Sequence, residues 1–417
     1  MVKGACSCSL PAPSASKPAG GPPERAVSKA QAPPAVSASA AKARPLSFPI
    51  LADPALRSAH GPRYATGRTG LALIFCRTIC YDDVALARDR RPRVFLMDGQ
   101  LLHVAPMLAV TDRHFRYLAR LLSRHAVLWT EMVHADAVTH NAALLHFDRQ
   151  EHPVVLQLGG SDPSVLAVAA AAGAAHGYDE INLNCGCPSA KVCHKRDESL
   201  CFGARLMLEP EHAGECLRRM AEAVDVPVSV KCRLGVDQRA EYEDLREFVE
   251  AVTRDSGVRH VVVHARAALL GGLSTQANRR VPPLRHEAVY RLKEEFPGLR
   301  VTLNGGVDSL QAAKEHLAAG VDGVMMGRAL QKNPLLLSTV DQLFYGEPAG
   351  AARPLAQVFQ CYGRYVDAQA AAAGEAHAAR TRAKAERHLG IAAVAKARQR
   401  CEWRRQAETS CEGAEEN

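Results

Sequence analysis

The stretch EINLNCGCPSAKVCHKRDESLCFGARLM, Glu180 to Met207, packs four cysteines, a Gly-Cys-Pro turn and a run of charges into one segment. Thiols at this density can do acid–base work, bind a metal, exchange disulfides, or do nothing. Cys187 follows Gly186, precedes Pro188 and lies just past an apolar run ending near Asn184, so its thiol is expected to project from a strand end. A thiol with an ordinary pKa of about 8.5 is protonated at neutral pH and can donate a proton to a developing carbanion. The Cys185–Cys187 pair suggests redox chemistry, but no bridge is expected and Cys185 should pack on its strand. A zinc site from Cys193, His194 and Cys201 lacks a fourth ligand and a recognised spacing, so no metal is expected.

Other chemistry-bearing residues end apolar runs. Lys231 closes PVSVK, and a buried lysine seeks an anionic or electron-rich partner. The N1/O2 edge of a flavin would satisfy it; a Schiff-base role is the rival that nothing here selects. His264, with Arg266 beside it, could bind flavin or phosphate, or be a satisfied core histidine. Gln157 can hydrogen-bond an isoalloxazine or a base edge, and Ala105–Pro106–Met107 offers small backbone and a soft side chain for stacking. NGGVDS (Asn304, Gly305, Gly306) and MGRAL (Gly327, Arg328) combine glycines with a guanidinium, which suits a phosphate; tight turns without a ligand are the alternative.

These residues need a scaffold that brings strand ends together. Apolar, β-branched runs at 101–107, 127–133, 153–159, 180–186, 227–233, 260–266, 300–306 and 323–329 alternate with amphipathic stretches long enough for crossover helices. The pattern predicts an α/β protein, a (β/α)₈ TIM barrel over 101–346, with a doubly wound open sheet as the lesser alternative. In such a barrel functional residues gather at the C-terminal ends of the strands, which is where Glu131, Gln157, Asn184, Lys231, Arg233, His264 and Asn304 fall. That distribution predicts an enzyme.

Outside the barrel the texture changes. Residues 1–44 are rich in Ala, Ser and Pro with Glu24 as the only acid, a composition that suits an organellar transit peptide or a disordered leader. Residues 45–100 form an irregular linker with a basic patch, Arg88 to Arg93. Beyond Glu347 the chain is expected to be a basic, helical tail, 347–417. If the leader is a transit peptide the protein would reside in chloroplast or mitochondrion; otherwise the cytoplasm is expected. The net charge of +8 is compatible with a polyanionic partner. Thirteen irregularly spaced cysteines point to a reducing compartment. No apolar run approaches the length of a membrane span.

Taken together, VAPM, TDRHFRYLARLLSRHAVLWTEMV, HPVVLQLGGSDP, GYDEINLNCGCPS, FGARLM, PVSVKCRLGVD, HARAALLGGLSTQANRRVPPL and NGGVDS with DGVMMGRA resemble the tRNA-dihydrouridine synthases over about 103–345. The likeness is strongest to the bacterial A-type branch and its plant and algal relatives. The resemblance implies an FMN-dependent barrel followed by a helical domain that grips tRNA, acting as a monomer. NADPH would reduce FMN, whose N5 would pass hydride to C6 of a D-loop uridine at position 20 or 20a, and Cys187 would protonate C5. By the same likeness Pro106, Met107, Gln157, Lys231, His264, Asn304, Gly305, Gly306, Gly327 and Arg328 would hold FMN. Asn184, Asn278 and Arg279 would touch tRNA.

The chain departs from the family pattern in three places. Ala109 and Val110 stand where the family carries an acidic and an aromatic residue, the 192–201 loop is longer and charged, and the tail keeps only an RHLG-like trace. Two alternatives follow: an FMN barrel acting on a free pyrimidine, like the dihydroorotate dehydrogenases, and a tRNA-binding protein impaired in catalysis.

Overall fold

The computed structural model describes residues 99–193 and 201–389. Eight strands form its centre: β1 (Leu102–Val104), β2 (Leu128–His134), β3 (Val154–Gly159), β4 (Glu180–Cys185), β5 (Val228–Arg233), β6 (His260–His264), β7 (Arg300–Asn304) and β8 (Gly323–Met326). They hydrogen-bond in the order β1-β8-β7-β6-β5-β4-β3-β2, every pair parallel. His103 also bridges Val127 just ahead of β2, with Val104 N and Val127 N donating across the seam at 2.9 Å each. The sheet therefore closes as a (β/α)₈ barrel, and the open-sheet alternative falls. Several strands stop short of their apolar runs because the chain turns out of the ladder at the mouth. After Asn304, Gly305 and Gly306 take φ of 106° and 75°, outside any strand conformation.

Local chemistry places the outer helices. Asp112 caps Arg113–Leu122 by accepting from His114 N and Phe115 N at 3.0 Å each. Asp162 caps Pro163–His176, whose proline sits in the first turn and whose end is closed by Gly177 at φ 96°. Strand side chains alternate. Leu156, Ile181, Leu183, Cys185, Val230 and Val261 join the large core between sheet and helices. Ala105, Val127, Trp129, Val155, Val262 and Met325 form a separate cluster that fills the barrel.

Two C-terminal helices, Leu355–Ala372 and Glu375–Glu386, dock on the helix Arg113–Leu122. Tyr365 stacks on Tyr117 with ring centres 3.9 Å apart and hydrogen-bonds His114 Nδ1 at 3.0 Å. His388 Nε2 lies 2.9 Å from Asp112 Oδ1, and Lys384 Nζ 3.3 Å from Oδ2. Burial alone would raise the Asp112 carboxyl, but His388, the Phe115 N–H and Lys384 hold it well below the carboxylate range. The Arg387–His388–Leu389 trace in the tail is thus an anchor point. The leader, nearly all of the linker with its Arg88–Arg93 patch, residues 194–200 and the tail beyond Leu389 lie outside the described residues. Among the described residues, no helix is long and apolar enough to cross a membrane.

Candidate active site

The inner faces of β3, β4 and β5 carry a connected row of polar side chains. At the mouth, Asn184 Oδ1 accepts the N–H groups of Gly186 at 3.1 Å and Cys187 at 2.9 Å. Asn184 Nδ2 donates to Gln157 Oε1 at 2.8 Å, and Gln157 Nε2 donates to Asn182 Oδ1 at 2.9 Å. Asn182 Nδ2 donates to Ser229 Oγ at 2.8 Å, and Ser229 donates to the Glu180 carboxylate. His260 Nδ1 approaches the same carboxylate at 3.1 Å while its Nε2 meets Thr302 Oγ1 at 2.9 Å. Every member is buried, where an unpaired amide would cost about 1–3 kcal/mol, so full pairing is what makes the row tolerable. Burial alone would raise the Glu180 carboxyl, but His260, Ser229 and Arg300 bring it below its ordinary value.

The loop carrying Cys187 is clamped from its other side. Arg233 Nε donates to Gly186 O at 3.0 Å, and Arg233 Nη1 donates to Ala267 O at 3.0 Å and Asn278 O at 2.9 Å. Ala204 N and Cys193 Sγ both donate to Cys187 O, at 2.9 and 3.1 Å. Gly203, at φ 70°, passes so close that a Cβ there would stand 2.6 Å from Cys187 O. The Cys187 backbone is held while its side chain stays partly exposed at the mouth. Cys185 instead faces the helix layer, fully buried, and burial pushes its thiol well up.

Around this loop lies a cluster of cations. Lys231 Nζ donates to Asn304 Oδ1 at 3.1 Å, and Asn304 Nδ2 donates to Met325 O at 2.8 Å. Burial, with Arg233 adding, pulls the Lys231 ammonium down to about 8. Burial and the charges of Arg233, Lys231, Arg266 and Arg328 hold His264 well below the usual imidazole range, so it is neutral. Burial followed by Arg328 also lowers Arg266 and Arg279. Among the described residues no carboxylate pairs with any of these groups, and His264 Nε2, Arg266 Nε and Arg279 Nε are buried without a hydrogen-bond partner. Cations and donors assembled this way call for an anion.

Gly305 makes room for it, since a Cβ there would stand 2.5 Å from His264 Cδ2, and a Cβ at Gly306 would collide with Leu284. Gly327 has an ordinary φ of −122°, and a Cβ there would make only ordinary contacts with Ala105 and Met107. Met107 packs on the cluster filling the barrel, beside half-buried Pro106, and Thr111 Oγ1 accepts from its N–H at 2.9 Å. Ala109 adopts φ 59° and donates its N–H to Glu131 Oε1, so Glu131 is spent on this turn. The unpaired donors and cations fit a phosphate, and Gln157, Lys231 and Asn304 fit the polar edge of a planar ring. A phosphorylated flavin matches this donor set.

The residues expected to touch RNA are placed differently from one another. Asn278 is fully buried, with Oδ1 accepting from Leu269 N at 2.7 Å and Nδ2 donating to Leu269 O at 2.8 Å. It braces its own loop in this structure. Asn184 likewise spends both ends of its amide inside the protein. Arg279 is half-buried within the cation cluster. Arg233, placed by the sequence at the strand-end mouth without a role, and Cys193, weighed there only as a metal ligand, are structural partners of the Cys187 loop. For Arg233 the signal was present, because it lies two residues after Lys231 and so shares its strand face. Among the described residues no group of three or more His, Cys, Asp or Glu could hold a metal ion; His194 lies outside them.

The dihydrouridine synthase (Dus) family model matches residues 103–417. The chain is 50% identical over 246 residues to the tRNA-dihydrouridine(20/20a) synthase of Synechocystis sp., covering 58% of this chain and 72% of that protein. It is 49% identical over 273 residues to the enzyme of the same name from Xanthomonas campestris pv. campestris, covering 65% and 79%. A solved structure of a 2-naphthoyl-CoA reductase complex is similar at TM-score 0.44 and 12% identity, over 58% of this chain and 50% of that one. The match to the family model across the barrel and the docked helices is decisive: this chain belongs to the dihydrouridine synthase family.

Proposed function

We propose that this protein is an FMN-dependent, NADPH-using synthase that reduces D-loop uridines of tRNA, at positions 20 and 20a, to 5,6-dihydrouridine. The observation that carries the reading is the pinned Cys187 backbone beside a mouth lined with unpaired cations. Pro106, Met107, Gln157, Lys231, His264, Asn304, Gly305, Gly306, Gly327 and Arg328 would hold the flavin, which when bound supplies a hydride for C6 of the uracil ring. Cys187 Sγ–H then gives its proton to C5. Reaching that thiol requires the base to leave its stack, which a basic surface that binds RNA by shape would support.

The same reading divides the chain into a leader and linker (1–100), a flavin-binding barrel (101–346) and a tRNA-gripping helical tail (347–417), working as a monomer. If the leader is a transit peptide the protein would act in chloroplast or mitochondrion, and otherwise in the cytoplasm. The test is mass spectrometry for dihydrouridine in D-loop fragments of tRNA incubated with protein, FMN and NADPH. Product from the wild type, together with a Cys187→Ala variant that keeps flavin but makes none, is the expected result. Flavin reoxidised by orotate but not by unmodified tRNA would replace this reading with a free-pyrimidine reductase.

A further inference from the structure

Cys187 has a second thiol at its back. Cys193 Sγ is 3.1 Å from the carbonyl oxygen of Cys187 and 3.4 Å from that of Phe202, whose neighbour Gly203 passes close against Cys187. That carbonyl oxygen is four bonds from the sulfur of Cys187, so the two thiols are neighbours, and a disulfide between them requires side-chain rotation at both cysteines. The two thiols differ in access. Cys187 is partly exposed at the mouth, where an oxidant can reach its sulfur. Cys193 is 2% exposed, and burial pushes its thiol up to about 11, so it does not initiate such chemistry. A partly exposed thiol among cations with a sheltered thiol behind it is the arrangement of an oxidised and a resolving cysteine.

We propose that Cys187 and Cys193 form a reversible disulfide, with hydrogen peroxide as oxidant, Cys187 as the thiol attacked and Cys193 as the resolving thiol. In the first step the Cys187 thiol takes one oxygen from peroxide, giving a sulfenic acid and water. In the second the Cys193 sulfur attacks the sulfenyl sulfur; the S–S bond forms, the S–O bond breaks, and the hydroxyl leaves as water with the Cys193 proton. Two electrons and two protons from a dithiol reverse it. The disulfide withdraws the Cys187 proton and shields its sulfur from higher oxidation. That consequence rests on Cys187 as proton donor; the bond itself does not.

The full-length protein is treated with hydrogen peroxide, its free thiols are alkylated, and it is digested with trypsin without reductant. Cleavage after Arg149, Lys191, Lys195, Arg196 and Arg205 puts Cys187, Cys193 and Cys201 in three different peptides. The expected product joins Val192–Lys195 to Gln150–Lys191 through Cys187 and disappears on treatment with dithiothreitol. A link from Val192–Lys195 to Asp197–Arg205 overturns the proposal. So does a Cys193 recovered alkylated while Cys187 carries sulfinic acid. In Cys193→Ser, peroxide should drive Cys187 to sulfinic acid that dithiothreitol does not reverse, whereas wild-type protein returns to free thiols. If wild-type protein makes no dihydrouridine before peroxide is added, the proposed function fails while the mapped bond still stands.

Discussion

Asn184 Oδ1 accepts the N–H of Cys187 at 2.9 Å while Asn184 Nδ2 donates to Gln157, so one amide joins the thiol loop to the barrel wall. Removing it leaves two loop N–H groups and one glutamine oxygen short of a partner, a loss of roughly 1–3 kcal/mol. Asn184→Ala is expected to turn over roughly 10- to 100-fold more slowly with flavin still bound. Asn184→Asp, which restores the acceptor, should recover part of the rate. Product formation and flavin absorbance measure the two effects separately; an alanine variant as fast as wild type would remove Asn184 as the anchor.

Lys231 gives flavin binding a pH dependence. Burial holds its free ammonium near about 8, and an anionic neighbour raises that value by favouring the charged form. Binding then takes up a proton above pH 8. Affinity is full below the free pKa and declines as pH climbs from 8 towards the raised value. Fluorescence titrations of FMN across that range should show the decline, and Lys231→Met should both weaken binding and flatten the profile.

The two glycine loops at the mouth are not equivalent. Gly305 has φ 106° and no room for a Cβ against His264, whereas Gly327 has neither restriction. Gly305→Ala is expected to cost roughly 1–3 kcal/mol of stability and to displace His264, with weaker flavin binding. Gly327→Ala should leave the melting temperature within a few degrees of wild type. Calorimetry with and without FMN reads both, and equal losses at the two sites would contradict the assignment.

Acid should loosen the docked tail through His114. Burial is the main cause that brings its imidazole down to about 4, and its Nδ1 meets Tyr365. An unfolded histidine titrates near about 6.5, so between pH 6.5 and 4 the unfolded chain binds the extra proton and the fold loses up to about 3 kcal/mol. Asp112, held well below the carboxylate range, keeps its contribution throughout that window. Melting temperatures measured from pH 7 to 4 should fall for wild type and fall less for His114→Gln.

The barrel could be read from the chain because each apolar run ends in a polar residue, and alternation then sends Lys231 and Arg233, or Asn182 and Asn184, to one face. The family motifs around Cys187 were equally visible. What the residues could not announce was partnership across distance. Asn278 reads as one more polar residue among arginines until the loop folds over it and consumes its amide. His388 gains meaning only against Asp112, far earlier in the chain. Cys193 acts on a carbonyl oxygen, a group every residue has, so no spacing rule could single it out.

The buried row from Glu180 to Asn184 also has a direction. An ionised carboxylate can only accept, so Ser229 must donate to it and must therefore receive from the nitrogen of Asn182. The oxygen of Asn182 then faces the nitrogen of Gln157, whose oxygen faces the nitrogen of Asn184, which leaves the Asn184 oxygen for Cys187. Which atom greets the thiol loop is thus decided at the far end of the barrel, by a charge that never meets a substrate. With Glu180→Gln that end could also donate, the sequence of amides would lose its reason to run one way, and a reversed row would turn a nitrogen towards the N–H of Cys187.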